Sequence, residues 1–170
     1  QPGWTEKRAA RLFETYLRDH GVSAFFHFPF VWWGERSRFT GVRGYQDYLP
    51  SERVLCENEA YILDVAPIFR GYIADIGYSG FMGEPSSEWQ RGQVFLNNLR
   101  EKIPEIIRQV NKGSEAWFKI GSLIEETGFD NIHANHPFSV LGHRVPRAPT
   151  YLSQVRLAHF GWQSYWAFLA

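Results

Sequence analysis

The most constraining feature of the sequence is a pair of aspartates set in two apolar segments that a short turn connects. Asp64 lies within residues 60–67 and Asp75 within residues 71–76, and both segments have the residue composition of buried strands. The link between them is short and contains a glycine, so we expect an antiparallel hairpin. Each carboxylate then needs a partner, because an unpaired charge in an apolar environment is costly.

The spacing of the two aspartates predicts how they lie in the hairpin. Their separation is odd (75 − 64 = 11), so a turn centred between Phe69 and Arg70 would set Asp64 directly opposite Asp75 on one face. Two carboxylates that close repel unless one takes up a proton or a cation lies between them. A hard divalent ion fits this arrangement. Alternatively, one aspartate pairs with Arg70 or Arg43, or faces water on an exposed side of the sheet.

Histidines are the other candidate ligands. Three of them, His133, His136 and His143, fall within eleven positions. A histidine combined with two aspartates would give a mixed nitrogen and oxygen site suited to Mn, Fe, Co or Zn. We interpret His133 as a loop residue, and His27 and His159 have no partner that the sequence reveals.

Local signals predict the order of the elements. A helix is expected between an N-cap at Thr5 and a stop at Gly21, followed by a strand over residues 22–34 with a bend at Pro29. Beyond the hairpin, glycines and a proline break the chain. A long helix capped by Ser86 or Ser87 is then expected to close at Gly113, and a further helix to start from an N-cap at Ser114.

Composition excludes several functional classes. The 170 residues include 18 basic and 18 acidic side chains, so a net charge of zero removes the electrostatic case for nucleic acid or an anionic membrane as partner. Cys56 is the only cysteine, which excludes an internal disulfide and a Cys-rich zinc site. No apolar run is long enough to cross a bilayer, and no basic and apolar leader opens the sequence, so we expect a cytoplasmic protein.

Several segments together resemble the M24 metallopeptidases, a family that includes methionine aminopeptidase, aminopeptidase P, prolidase and creatinase. The runs Ile62–Ala66 and Gly71–Ile76 resemble the family's two-aspartate signature, with the same eleven-residue gap. The segment Pro2–Glu6 resembles its P-G-x-T-E entry to a helix, and His136 with His143 resembles its two downstream histidines. The resemblance covers nearly the whole chain.

This resemblance implies a fold and a chemistry. The fold would be α+β, the pita-bread domain, with a curved antiparallel sheet and helices outside it. Asp64, Asp75 and His136 would be metal ligands, with Asp75 bridging two divalent ions (Mn, Co, Fe or Zn), and His143 would contact the substrate and stabilise the tetrahedral intermediate. The reaction would be metal-assisted hydrolysis of a peptide or small amide bond, of the aminopeptidase or Xaa-Pro peptidase type.

The end of the chain affects this expectation. The family has two further glutamate ligands beyond its second histidine, and no glutamate follows Glu126. The sequence also starts without methionine and ends in an apolar run. We therefore expect one M24-like domain over residues 1–170, incomplete at both ends. The alternative is a catalytically inactive pita-bread module that binds a peptide or protein partner.

Four tryptophans are candidates for contact with a partner or for the core. Trp32, Trp33, Trp162 and Trp166 would line a specificity pocket or a homodimer interface if exposed, whereas burial in the core is the better default. A peptide or small amide is the expected ligand, and a homodimer remains possible.

Overall fold

A computed structural model describes residues 2–132, together with residues 147, 156, 157, 159–161 and 164. Asp64 and Asp75 lie within this part of the chain, whereas His133, His136, His143, Trp162 and Trp166 lie outside the described residues. No helix in the described part is long and apolar enough to cross a membrane.

The first helix, α1, spans Glu6–Asp19 and confirms the local signals that predict it. The Thr5 side chain accepts a hydrogen bond from the backbone N–H of Arg8 and so caps the free amides of the first turn. At the other end Gly21 adopts a φ of 88°, a left-handed conformation that glycine allows without strain.

An antiparallel sheet forms the centre of the described structure. Its strands are β1 (Ala24–Trp33), β2 (Ala60–Phe69), β3 (Tyr72–Ile73), β4 (Ile76–Phe81), β5 (Arg156–Leu157) and β6 (Phe160–Gly161). The order is β3-β2-β1-β6-β5, and β4 pairs with β2 further along the same edge. All ten residues of β1 are buried, which agrees with its position between two neighbouring strands.

The two faces of β2 have different surroundings. Leu63 and Val65 face α1, where they pack near Val31, Ala10 and Phe13. Residues of the opposite parity, including Ile62 and Ala66, belong to clusters on the other face. Asp64 therefore lies on the face that α1 leaves uncovered. Of the four tryptophans expected in the core, Trp32 and Trp33 are buried, and the other two lie outside the described residues.

The hairpin forms, but its register differs from the predicted one. Phe69 pairs with Tyr72 around a two-residue turn, and Asp64 lies opposite Gly77 rather than Asp75. Both turn residues have positive φ, 52° at Arg70 and 82° at Gly71, as in the tight turns that match strand twist. A shift of two residues keeps every side chain on its face, so Asp64 and Asp75 still share one face.

The strand predicted over residues 71–76 is divided in two and extends further along the chain. Tyr72–Ile73 form β3, Ala74 and Asp75 lie outside the strands, and β4 continues from Ile76 to Phe81 through Gly77 and Gly80. Gly80 lies opposite Tyr61, whose ring covers it: a Cβ built there would be 2.4 Å from the phenol oxygen. The glycine is therefore a packing requirement within a strand and not a break in the chain.

Substitution of Gly80 by alanine is expected to destabilise the protein. The Tyr61 ring also contacts Trp33 and Tyr78, with centroid distances of 5.9 and 6.3 Å, so it cannot move aside freely. We expect a loss of about 1–3 kcal/mol in the free energy of unfolding, measured by urea denaturation. Gly44→Ala is the matched control, because a Cβ at Gly44 meets nothing within 4 Å. Equal stability of the two variants would contradict the expectation.

Two further helices follow β4. Helix α2 spans Ser87–Arg108 with Ser86 as its N-cap, as predicted, but it ends before Gly113. Gly113 is instead the first residue of α3, which spans Gly113–Glu126 and has Lys112, not Ser114, at its N-cap position. The predicted helix boundary there is wrong because a glycine between two helical segments can close one or open the next.

Contacts divide the chain into two compact units, one within residues 1–83 and 143–170 and the other within 84–142. The first contains the sheet and α1. In the second, Phe129 packs on Phe95 with ring centroids 5.8 Å apart, and Ala116 and Ile120 of α3 are buried. The single domain over residues 1–170 stays a prediction.

Candidate metal centre

The two aspartates come from neighbouring segments of the sheet. Asp64 belongs to β2, and Asp75 lies in the two-residue gap between β3 and β4. Pro67 accounts for this gap, because it accepts a hydrogen bond from the Ala74 amide at 2.9 Å but has no N–H to return one. Asp75 is therefore released from regular pairing at the point where its carboxylate faces Asp64.

A third side chain joins them from β1. The Nε2 atom of His27 lies 3.9 Å from Oδ2 of Asp64 and 3.8 Å from Oδ1 of Asp75. One donor atom from each of the three residues lies within 4.8 Å of the others, and this group is the one found among the described residues that could hold a metal ion. Sequence reasoning missed His27, which it left without a partner.

A bulge in β1 places His27 on this face. His27 pairs with Ala66 and Phe30 with Asp64, so three steps along β1 match two steps along β2. In a regular strand residues 27 and 30 would point to opposite faces; the extra residue turns them to the same one. Pro29 lies within the bulge, a position where proline is tolerated because a ladder hydrogen bond is already missing.

The His27 ring is held firmly and oriented. Only 7% of the residue is exposed, and its ring centroid lies 5.1 Å from that of Phe30 and 6.2 Å from those of Phe26 and Phe160. Its Nδ1 atom is 3.1 Å from the Phe28 carbonyl oxygen. A carbonyl can only accept, so Nδ1 carries the proton in this contact and Nε2 faces the carboxylates.

The carboxylates themselves are more open than the histidine. Their side chains are 28% exposed at Asp64 and 27% at Asp75, against 9% at His27. The site therefore combines a buried imidazole with two carboxylates that are partly exposed to solvent. One nitrogen and two anionic oxygen donors match what Mn, Fe, Co and Zn accept, so the residues present fit a divalent ion.

The alternative partner Arg70 lies elsewhere. Its guanidinium is over the ring of Phe69, 5.2 Å from the centroid. His159 is buried near the site, but its ring packs on Phe30, with centroids 4.1 Å apart. The roles predicted for His136 and His143 concern residues outside the described part of the chain.

The groups around His27 raise the pKa of its imidazole. Burial is the largest single influence and lowers the pKa of His27, but the contact with Asp75, the charge of Asp64 and the Phe28 carbonyl together outweigh it. The net result is a pKa raised above the ordinary 6.5. In the metal-free protein the two neighbouring carboxylates thus favour the imidazolium form of His27.

The raised pKa of His27 predicts how the metal-free protein responds to pH. A raised folded-state pKa gives a stabilisation that is fully present below the unfolded value of 6.5 and is lost as pH rises through the folded value. We expect histidine NMR titration to show the raised pKa, and Asp75→Asn to lower it. A His27 pKa that Asp75→Asn leaves unchanged would contradict this account.

Comparison with known proteins gives this fold its class. The chain is similar to prolidase from Pyrococcus furiosus, with 16% identity and a TM-score of 0.65 over 94% of this chain and 47% of that one. It is also similar to X-Pro aminopeptidase from Thermotoga maritima MSB8, with 24% identity and a TM-score of 0.60 over 75% of this chain and 35% of that one. The fold is therefore the pita-bread α+β fold, as predicted.

A third solved structure shares more of the sequence. Xaa-Pro dipeptidase from Bacillus anthracis is 25% identical, with a TM-score of 0.55 over 75% of this chain and 34% of that one. A search of curated proteins returns no significant match. The chain spans less than half the length of each of these three solved structures.

The family model for Metallopeptidase family M24 matches residues 1–154. The chain belongs to this metallopeptidase family, and the resemblance noted in the sequence is confirmed.

Proposed function

We propose that the protein of which this chain is part hydrolyses a peptide or small amide bond with the help of divalent metal, in the manner of an Xaa-Pro peptidase or aminopeptidase. Membership of the M24 family supports the reaction class. The single observation that carries the site is the convergence of Asp64 and Asp75 on one face of the sheet, with their donor atoms and that of His27 within 4.8 Å of one another.

Each residue has a role in this proposal. Asp64 and Asp75 would hold the metal, and Asp75 would bridge two ions if the site is dinuclear. His136 would be a further ligand, and His143 would contact the substrate carbonyl. A bound divalent ion lowers the pKa of water and polarises a carbonyl group, which is the chemistry that amide hydrolysis needs. The chain's own residues supply the negative charge that retains the ion.

The proline preference is supported by the names of the similar structures, an X-Pro aminopeptidase, an Xaa-Pro dipeptidase and a prolidase. The same comparisons give no support to the inactive binding module, since these similar proteins are peptidases. A homodimer, the two-ion stoichiometry and a cytoplasmic location stay predictions.

Metal analysis and hydrolysis assays on the full-length protein test the proposal. Elemental analysis should find bound divalent metal, and a panel of Xaa-Pro dipeptides should be hydrolysed faster than matched peptides without proline. Treatment with a chelator should abolish hydrolysis, and Mn²⁺ or Co²⁺ should restore it. Hydrolysis that persists in the chelated protein would refute metal dependence, and a lack of both metal and hydrolysis would favour the binding module.

A further inference from the structure

We propose that His27 is a direct metal ligand, so that one divalent ion is held by His27 together with Asp64 and Asp75. The inference rests on the proposed function, because it takes the two aspartates as ligands. It goes further by adding a residue that the family resemblance does not assign and by requiring only residues of β1, β2 and the gap between β3 and β4.

Distances between the donor atoms support this assignment. Two donors that bind one ion at about 2.1 Å each can lie no more than about 4.2 Å apart. The Nε2 atom of His27 meets this limit with both carboxylates, at 3.9 Å from Asp64 and 3.8 Å from Asp75. The donor oxygens of the two carboxylates lie within 4.8 Å of each other, and both side chains are partly exposed.

The orientation of the imidazole provides a second, independent argument. The Phe28 carbonyl accepts from Nδ1, so in the neutral ring the lone pair of Nε2 is directed at the carboxylates. Metal-binding histidines typically donate their second ring N–H in this way. The ring cannot turn to solvent, because it is buried among Phe26, Phe30 and Phe160. The structure therefore presents a pre-oriented nitrogen donor.

A nitrogen donor also affects the choice of metal. Carboxylate oxygens alone suit Mg²⁺ and Ca²⁺ as well as transition metals, whereas an imidazole favours Zn, Co, Fe and similar ions. The exposed sides of Asp64 and Asp75 leave coordination positions open to water or substrate. The class of ligand that we infer is thus a single transition-metal dication rather than an alkaline-earth ion.

Binding of Co²⁺ to the full-length protein tests the inference directly. We would titrate Co²⁺ and follow its visible absorption in the unsubstituted protein and in His27→Phe, a change suited to a strand already rich in phenylalanine. His20→Phe, at the exposed end of α1, is the matched control. We expect His27→Phe to weaken Co²⁺ binding at least about 100-fold, more than the loss of a residue that only supports a ligand, and His20→Phe to leave it unchanged.

The outcomes separate failure of this inference from failure of the proposed function. If Asp64→Asn loses Co²⁺ binding and His27→Phe does not, the metal site stands and His27 is not a ligand. If the unsubstituted protein binds no Co²⁺, both proposals fall.

A measurement on the unsubstituted protein covers the case in which His27→Phe does not fold. With ¹⁵N-labelled histidine, Zn²⁺ should shift the Nε2 resonance of His27, assigned through its contacts with Phe28 and Phe30. An unshifted resonance at saturating Zn²⁺ would overturn the assignment.

Discussion

Replacing Asp75 with asparagine is expected to abolish divalent-metal binding and hydrolysis together in the full-length protein. Asparagine keeps the shape of the side chain but removes the negative charge that balances the ion. Loss of a residue that only supports a ligand costs about 10–100-fold in metal affinity, so loss of a ligand should cost at least about 100-fold. Titration calorimetry with Mn²⁺ and a dipeptidase assay on the same preparations measure both effects.

The matched control for this prediction is Asp19→Asn, which makes the same chemical change at an exposed position at the end of α1. It should leave affinity and rate unchanged. Thermal unfolding of both variants shows whether a loss of activity reflects a loss of structure. If Asp75→Asn kept hydrolysing in the presence of a chelator, the reaction would not depend on metal, and a creatinase-like mechanism without metal would replace the present proposal.

The comparison of Asp64 and Asp75 with His27 shows what spacing in a sequence can and cannot reveal. The two aspartates were predicted to share a face, and they do, although their register is wrong by two residues. A register error of an even number of residues leaves every side chain on the same face of the sheet. The prediction of a shared face is therefore unaffected by this error. The predicted proximity of the two carboxylates is therefore found despite an inaccurate turn.

His27 could not be found by the same reasoning, because a bulge breaks the alternation on which it depends. Regular alternation would place His27 and Phe30 on opposite faces. The register shift between them, near Pro29, reverses this, and a second shift lies between Phe25 and His27. The sequence did contain a signal, since a histidine in a strand with every residue buried needs a polar partner. A proline two residues later marks where a bulge is tolerated.

Two glycines show that local sequence patterns predict some features, whereas other features depend on tertiary contacts. Gly21 ends α1 through its own backbone conformation, which a sequence pattern captures. Gly80 was read as a break, yet it lies inside β4 because the Tyr61 ring needs its space. That requirement comes from the facing strand, so no local pattern encodes it.

The second large effect concerns stability and a carboxylate away from the metal centre. Glu6 is fully buried at the start of α1. Its Oε1 accepts hydrogen bonds from the Trp33 amide and Arg36 Nε, both at 2.9 Å, and its Oε2 accepts from the Ser51 amide at 2.8 Å and hydroxyl at 2.6 Å. One side chain thus joins α1, the end of β1 and the loop that precedes β2.

We expect Glu6→Ala to lower the free energy of unfolding by about 3–5 kcal/mol, because it leaves a partly buried guanidinium and buried amides without their acceptor. Loss of the negative charge from the first turn of α1 adds to this cost. A loss of this size is a large part of the total free energy of unfolding of a small domain. The variant should therefore be mostly unfolded at moderate urea concentrations. Urea denaturation followed by tryptophan fluorescence measures the loss.

Glu6→Gln separates the network from mere packing volume. Glutamine fills the same space but turns one acceptor oxygen into an N–H₂ group, which then faces a donor, Ser51 or Arg36. It should therefore cost clearly more than Glu52→Gln, where the pair with Lys7 at 2.9 Å is on the surface, the Glu52 side chain is 71% exposed and the expected loss is at most about 1 kcal/mol. Equal losses of unfolding free energy in the two glutamine variants would mean that the charge of Glu6 stabilises the fold no more than a surface ion pair does. A larger loss of unfolding free energy at Glu6 would mean that the hydrogen bonds of this carboxylate hold β1, the strand that carries His27, against α1.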